Sequence, residues 1–240
     1  MTDISIAVDG IERSAYLAVP EGEGPWPAVV VLFELVGANA DMRAQADRLA
    51  ANGYLALLPD LYDGKPWIRC VSRAMREFRA GRGPSFAFLE ASRAWLAARA
   101  DCTGRVGVAG FCLGGGFALL AAAGGAFDAA AVNYGILPGD LEETLSGACP
   151  VVANYAGRDR LLKGAAAKLD RTLTVLGVDH DVKEYPDAGH GFLTETPVPA
   201  LAAPLVKVTL GVGIGRQFGD EAWERIFAFF GAHLASGSTT

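Results

Sequence analysis

RVGVAGFCLGGGFALLAAA, residues 105–123, is the stretch on which the reading of this chain turns. Arg105 to Ala109 is the apolar run of a strand buried on both faces. Gly115 to Ala123 is small, apolar and long enough for a helix. Between them stands Gly110-Phe111-Cys112-Leu113-Gly114-Gly115, a tight strand-to-helix turn with a cysteine at its apex. Residues 106–127 hold no charge over 22 positions, which is long enough to raise a membrane span. Seven glycines interrupt the run, and a buried strand–turn–helix explains it better.

Working outward, strand and helix signals alternate. The start reads as a hairpin, with Ile4, Ile6 and Val8 alternating before a turn at Asp9-Gly10 and then Tyr16, Leu17 and Val19. Ala28 to Phe33 is a continuous apolar strand, Asp41 to Asn52 a helix stopped by Gly53, and Tyr54 to Leu58 a short strand. Ser85 to Ala100 is a helix. Beyond the central stretch follow a strand at Ala129 to Tyr134, a short helix at Asp140 to Leu145 and a strand at Val151 to Tyr155. A helix at Leu161 to Leu176 and a strand at His180 to Tyr185 come next. The final helix, Asp220 to Leu234, puts Trp223, Ile226, Phe227, Phe230 and Leu234 on one face. This alternation predicts an α/β fold: a mostly parallel sheet flanked by helices on both faces, with an N-terminal antiparallel hairpin. Thr194 to Gly219, with three prolines and four glycines, reads as a long loop, so one domain over residues 1–240 is expected.

Composition narrows the function classes. The 240 residues are 51% hydrophobic and 20% charged, too apolar for a disordered chain. A net charge of −6 argues against nucleic acid and against an anionic membrane surface as partners. Cys70, Cys102, Cys112 and Cys149 are spaced by 32, 10 and 37 residues, which offers no zinc site and reads as reduced thiols. The N-terminus has no positively charged segment leading into an apolar one, so a cytoplasmic protein is expected.

The central hexapeptide has the context of a G-x-S-x-G nucleophile elbow, with cysteine in the serine position. Small neighbours suit a nucleophile on a strained turn, and the following helix aims its N-terminus at the sulfur and favours a thiolate. A base must accompany it, and there are three histidines. His233 reads as a cation at a helix C-terminus and His180 as solvated between Asp179 and Asp181. His190 stands on a glycine-flanked loop after a strand, where a ring can swing over the sheet edge. The third member is a carboxylate that fixes the histidine tautomer. Asp159 follows the strand ending at Tyr155, in the nucleophile–acid–histidine order of this architecture. Asp187 is also loop-borne and close to His190 in sequence, and Asp159 could instead form a solvated pair with Arg158 or Arg160.

Taken together, these residues resemble the dienelactone hydrolase family, a cysteine-dependent branch of the α/β-hydrolase superfamily. The resemblance rests on Phe33-Glu34-Leu35-Val36-Gly37, Gly53-Tyr54, Pro59-Asp60-Leu61-Tyr62, the GFCLGG elbow, the loop around Asp159 and Ala188-Gly189-His190-Gly191-Phe192. It implies Cys112 as nucleophile, His190 as general base and then acid, and Asp159 as its orienter. It places Glu34 beside the nucleophile and able to hydrogen-bond it, and an oxyanion hole at the backbone N–H groups of Leu113 and Leu35. The implied reaction is hydrolysis of an ester or lactone through a thioester, with no metal and no organic cofactor. The sequence does not choose between a monomer and a homodimer.

Two features bear on substrate. The family has a substrate-binding arginine four residues beyond its histidine, and here Thr194 stands there. Arg69, Arg73, Arg76, Arg79 and Arg82 are spaced to give one helix a basic face, either a solvated surface or a clamp for an anionic ligand. The alternatives are a general carboxylesterase or thioesterase for uncharged acyl groups, and a non-catalytic ligand-binding protein on the same scaffold.

Overall fold

A computed structural model describes residues 2–195 and 209–235. Strands β1 (Thr2–Val8) and β2 (Ile11–Ala18) form the expected hairpin. Asp9 and Gly10 take positive φ angles of 51° and 78°, as a two-residue turn matched to strand twist requires. The chain continues through β3 (Trp26–Leu32), α1 (Ala40–Ala51), β4 (Leu55–Pro59), α2 (Trp67–Ala80), α3 (Pro84–Ala97) and β5 (Cys102–Phe111). Then come α4 (Leu113–Ala123), β6 (Ala129–Asn133), α5 (Leu141–Leu145), β7 (Val151–Ala156), α6 (Ala165–Leu176), β8 (His180–Tyr185) and α7 (Gly219–Leu234).

The eight strands lie in the order β1-β2-β4-β3-β5-β6-β7-β8. Only the hairpin strand β2 runs against its neighbours; from β4 to β8 every pairing is parallel. Burial on both faces explains the unbroken apolar runs: Ala28 to Leu32, Leu55 to Leu58 and Ala129 to Val132 are all fully shielded. Helices α1 and α7 cover one face, where Arg48 of α1 pairs with Asp220 at 2.8 Å and lies over the Trp223 ring. Trp223, Ile226, Phe230 and Leu234 are buried as the periodicity predicts, while Phe227 is half-buried and stacks on Tyr54. Helices α3, α4 and α6 cover the other face, where Phe117 of α4 meets Phe78 of α2 and Phe86 of α3.

Consequently the charge-free stretch 106–127 is a buried strand, a turn and a buried helix. Among the described residues no helix is long and apolar enough to cross a membrane. Of the long segment 194–219, residues 196–208 lie outside the described part.

The elbow depends on two close backbone approaches. A Cβ on Gly110 would stand 2.0 Å from the Gly114 carbonyl oxygen, and one on Gly114 would stand 2.3 Å from that of Leu32. Neither contact can relax without moving a central strand. Gly110→Ala is therefore expected to destabilise the fold by about 3 kcal/mol. A urea midpoint equal to that of the wild type would show that the approach is not as close as described.

A buried polar ladder crosses the sheet beneath the elbow. The Asn133 amide donates to the Gly110 carbonyl at 3.2 Å, and the Asn154 amide donates to Asn133 at 2.9 Å. Arg225 of α7 in turn donates to Asn154 and pairs with Asp181 at the surface. Both asparagines are fully buried, and this chain of donors satisfies them.

Candidate active site

Five strand ends share one edge of the sheet, and each delivers one candidate group. Cys112 is the single residue between β5 and α4. Its φ of 54° and ψ of −114° put a non-glycine residue in a costly conformation. The backbone is held there by its own hydrogen bonds. Its N–H donates to the Asn133 carbonyl at 3.0 Å, and its carbonyl accepts from Gly116 at 3.2 Å. The residue is half-buried, at the N-terminus of α4.

Asp159 follows β7, and its side chain is completely shielded from solvent. One carboxylate oxygen accepts the Leu161 N–H at 2.9 Å, which fixes the loop; the other meets His190 Nδ1 at 2.6 Å. Asp187 goes elsewhere: it is exposed and paired with Arg158 at 2.7 Å.

His190 lies beyond β8, with its side chain 14% exposed. Its backbone N–H donates to Leu210 at 2.8 Å, and that of Gly189 donates to Ile214 at 3.0 Å. A side chain at position 189 would collide with the Gly211 carbonyl, at 1.8 Å. Thus the described end of the long loop packs directly against the histidine segment. Nδ1 is occupied by Asp159, and Cys112 is near enough to act on the imidazole electrostatically.

Burial pulls the His190 pKa down, but the neighbouring Cys112 charge and the hydrogen bonds to Asp159 and Cys112 prevail and raise it from 6.5 to about 10. A histidine that binds its proton more tightly when folded adds stability that is complete below 6.5 and is lost as pH rises through about 10. Urea midpoints are therefore expected to fall across that window. Cys112→Ala, which removes the largest raising influence, should flatten the dependence. A wild-type profile already flat there would contradict the assignment of the proton to His190.

Glu34 follows β3 and is 8% exposed. Its carboxylate accepts from the Thr194 hydroxyl at 2.6 Å and the Tyr134 hydroxyl at 3.3 Å. The resemblance places this acid against the nucleophile; here its hydrogen bonds go to the two hydroxyls. Tyr134 gives no signal in the sequence beyond its place at a strand end. It is fully buried with a φ of 41°, its ring lies 4.8 Å from that of His190, and burial raises its hydroxyl pKa well above the ordinary value. The remaining candidates are backbone groups. Leu113 opens α4, so its N–H has no partner inside the helix. Leu35 lies in a turn closed by the Gly37 N–H on the Glu34 carbonyl at 3.0 Å, and its own N–H has no acceptor among the described residues.

The basic row is only partly a solvated face. Arg69, Arg76 and Arg79 on α2 are exposed, and so is Arg82, beyond the helix stop at Gly81. Arg73 instead turns inward, donating to the Leu61 carbonyl at 2.8 Å and pairing with buried Glu77. His180 is likewise not solvated as its acidic neighbours suggest: Nδ1 bonds the Val178 carbonyl at 2.7 Å and Nε2 faces Asp170 of α6. His233, near the end of α7, faces Asp179 at 3.4 Å. Among the described residues no group of three or more His, Cys, Asp or Glu side chains could hold a metal ion.

Comparison with known proteins agrees with this architecture. The model of the dienelactone hydrolase family matches residues 14–234. A protein of Azospirillum brasilense named putative carboxymethylenebutenolidase is 32% identical over 208 residues, covering 80% of this chain and 87% of that one. The crystal structure of a dienelactone hydrolase from Anabaena variabilis superposes with a TM-score of 0.69 at 21% identity, over 97% of both chains. A thermophilic esterase from Thermogutta terrifontis superposes with a TM-score of 0.63 at 16% identity, over 97% of this chain and 94% of that one. At those identities the two structures speak for the fold alone.

Proposed function

The chain belongs to the dienelactone hydrolase family and is a hydrolase of carboxylic esters or lactones, and from that premise we propose that it works through a Cys112–His190–Asp159 triad. The observation that carries this reading is the imidazole of His190, bound to buried Asp159 at 2.6 Å at the sheet edge where Cys112 stands on its strained turn.

In the proposed cycle the Cys112 thiolate adds to the substrate carbonyl, while His190 holds the proton. The N–H groups of Leu113 and Leu35 receive the oxyanion, an arrangement in which one such donor is worth about 3–4 kcal/mol. The tetrahedral adduct collapses to a thioester as His190 protonates the departing oxygen. His190 then takes a proton from water, hydroxide adds to the thioester carbonyl, and the sulfur leaves as thiolate. Asp159 keeps Nδ1 protonated throughout, so that the other nitrogen faces the chemistry. No step calls on a metal or an organic cofactor.

A second reading, a carboxylesterase or thioesterase for uncharged acyl groups, draws support from Thr194. Where the resemblance places an arginine, a neutral hydroxyl holds the Glu34 carboxylate. Initial rates on a carboxylated dienelactone and on a neutral aryl acetate separate the two, with Cys112→Ala as the blank. Preference for the lactone supports the first reading, and preference for the acetate supports the second. Failure to turn over any ester, lactone or thioester would overturn both.

A further inference from the structure

The turn that carries the Leu35 N–H is held from its far side by a tyrosine that the cycle above does not use. Tyr62, in the loop between β4 and α2, is 3% exposed, and its hydroxyl donates to the Leu35 carbonyl at 3.1 Å. Its ring meets Phe33 edge-on at 4.8 Å and lies against Gly37, where an added Cβ would stand 3.2 Å from it. The ring therefore touches the residues flanking the Glu34–Val36 segment on both sides, while the hydroxyl grips its middle.

Tyr62 is itself fixed. Its N–H donates to Asp60 at 2.9 Å, and its carbonyl accepts from Lys65 at 3.0 Å and, more weakly, from the Cys70 thiol at 3.9 Å. The preceding carbonyl, that of Leu61, accepts from Arg73. A line of contacts thus runs from α2 through this loop to the turn after β3. The opposite end of the turn is tied by the Thr194–Glu34 bond and by the Gly37 N–H on the Glu34 carbonyl.

The two backbone torsions at Leu35 link its N–H to its carbonyl, so a carbonyl held in place restricts where the N–H can point. We propose that Tyr62 is a positioning residue, holding the Leu35 N–H at the angle an oxyanion needs; this rests on the cysteine-hydrolase reading above. Burial pushes the Tyr62 hydroxyl well above its ordinary pKa, so it remains a donor across the working range.

Tyr62→Phe keeps the ring and removes only the hydroxyl. Loss of alignment at one oxyanion donor should lower kcat about tenfold or more, with KM and the pH profile unchanged. Alkylation of Cys112 by iodoacetamide, in which sulfur displaces iodide and no oxyanion forms, should proceed at the wild-type rate; it also reports that the variant has folded. Tyr16→Phe removes a comparable hydroxyl bond, to Asp47 at 2.7 Å on the hairpin side, and should leave kcat unchanged. The proposal is overturned if Tyr62→Phe keeps full kcat while Cys112→Ala is inactive. It is equally overturned if alkylation slows as much as turnover, because the hydroxyl would then support the site as a whole. Turnover that survives Cys112→Ala would instead overturn the underlying reading.

Discussion

Cys112→Ala should lose at least about 10⁴-fold in kcat/KM on any ester or lactone the wild type hydrolyses. Alanine removes the proposed attacking atom but leaves the Leu35 and Leu113 N–H groups and the His190–Asp159 pair in place. What remains is His190-assisted attack by water on a polarised carbonyl, without the covalent step. The fold should survive. The close contacts of the elbow belong to Gly110 and Gly114, and the two hydrogen bonds that hold residue 112 are made by its backbone. Steady-state rates on protein freed of any wild-type contaminant test this directly. A variant with intact circular dichroism and wild-type turnover would remove Cys112 from the reaction.

The second large effect is expected at Asp159. Asp159→Asn should lower kcat by about 10⁴-fold, the loss typical when the orienting carboxylate of a triad becomes an amide. The amide oxygen can still accept the Leu161 N–H, so the loop keeps its anchor. Its nitrogen, however, would donate to His190 Nδ1 and favour the tautomer with the proton on Nε2, which cannot accept one from the thiol. Asp159 also helps to raise the imidazole pKa, so the His190 titration should move down from about 10 in the variant. Imidazole resonances followed against pH measure this independently of turnover. Asp187→Asn, at the exposed carboxylate paired with Arg158, serves as the control and should leave kcat unaltered. If the two variants exchanged phenotypes, Asp187 would be the orienter.

How far such residues could be read from the sequence follows from how local their signals are. The strand Arg105–Ala109, the elbow and the helix after it announce themselves within twenty residues because burial, tight turning and helix formation are all short-range demands. His190 and Asp159 were legible as loop residues after strands, and the structure brings their side chains together across 31 positions. Tyr134 was not legible. Its place in the site comes from hydroxyl contacts to Glu34 and Thr194, residues 100 and 60 positions away, and no local pattern encodes such a meeting. Arg73 looked like one arginine of a row until α2 packed against the loop carrying Leu61, and His180 looked solvated until α6 presented Asp170. In each case a neighbour distant in sequence decides where the side chain goes.

The order of strands also sets how this molecule would fail on warming. Cys112 hangs from β5, which has strands on both sides, whereas among the described residues β8 is the outermost strand and pairs with β7 alone. Opening a sheet margin costs less free energy than unfolding its middle. A margin that frays carries His190 away while the cysteine stays seated at the head of its helix. Such a molecule would keep the Cys112 side chain in place and lose the imidazole proposed to serve it. Heat inactivation would then begin below the melting of the core, and would reverse on cooling for as long as the centre of the sheet held.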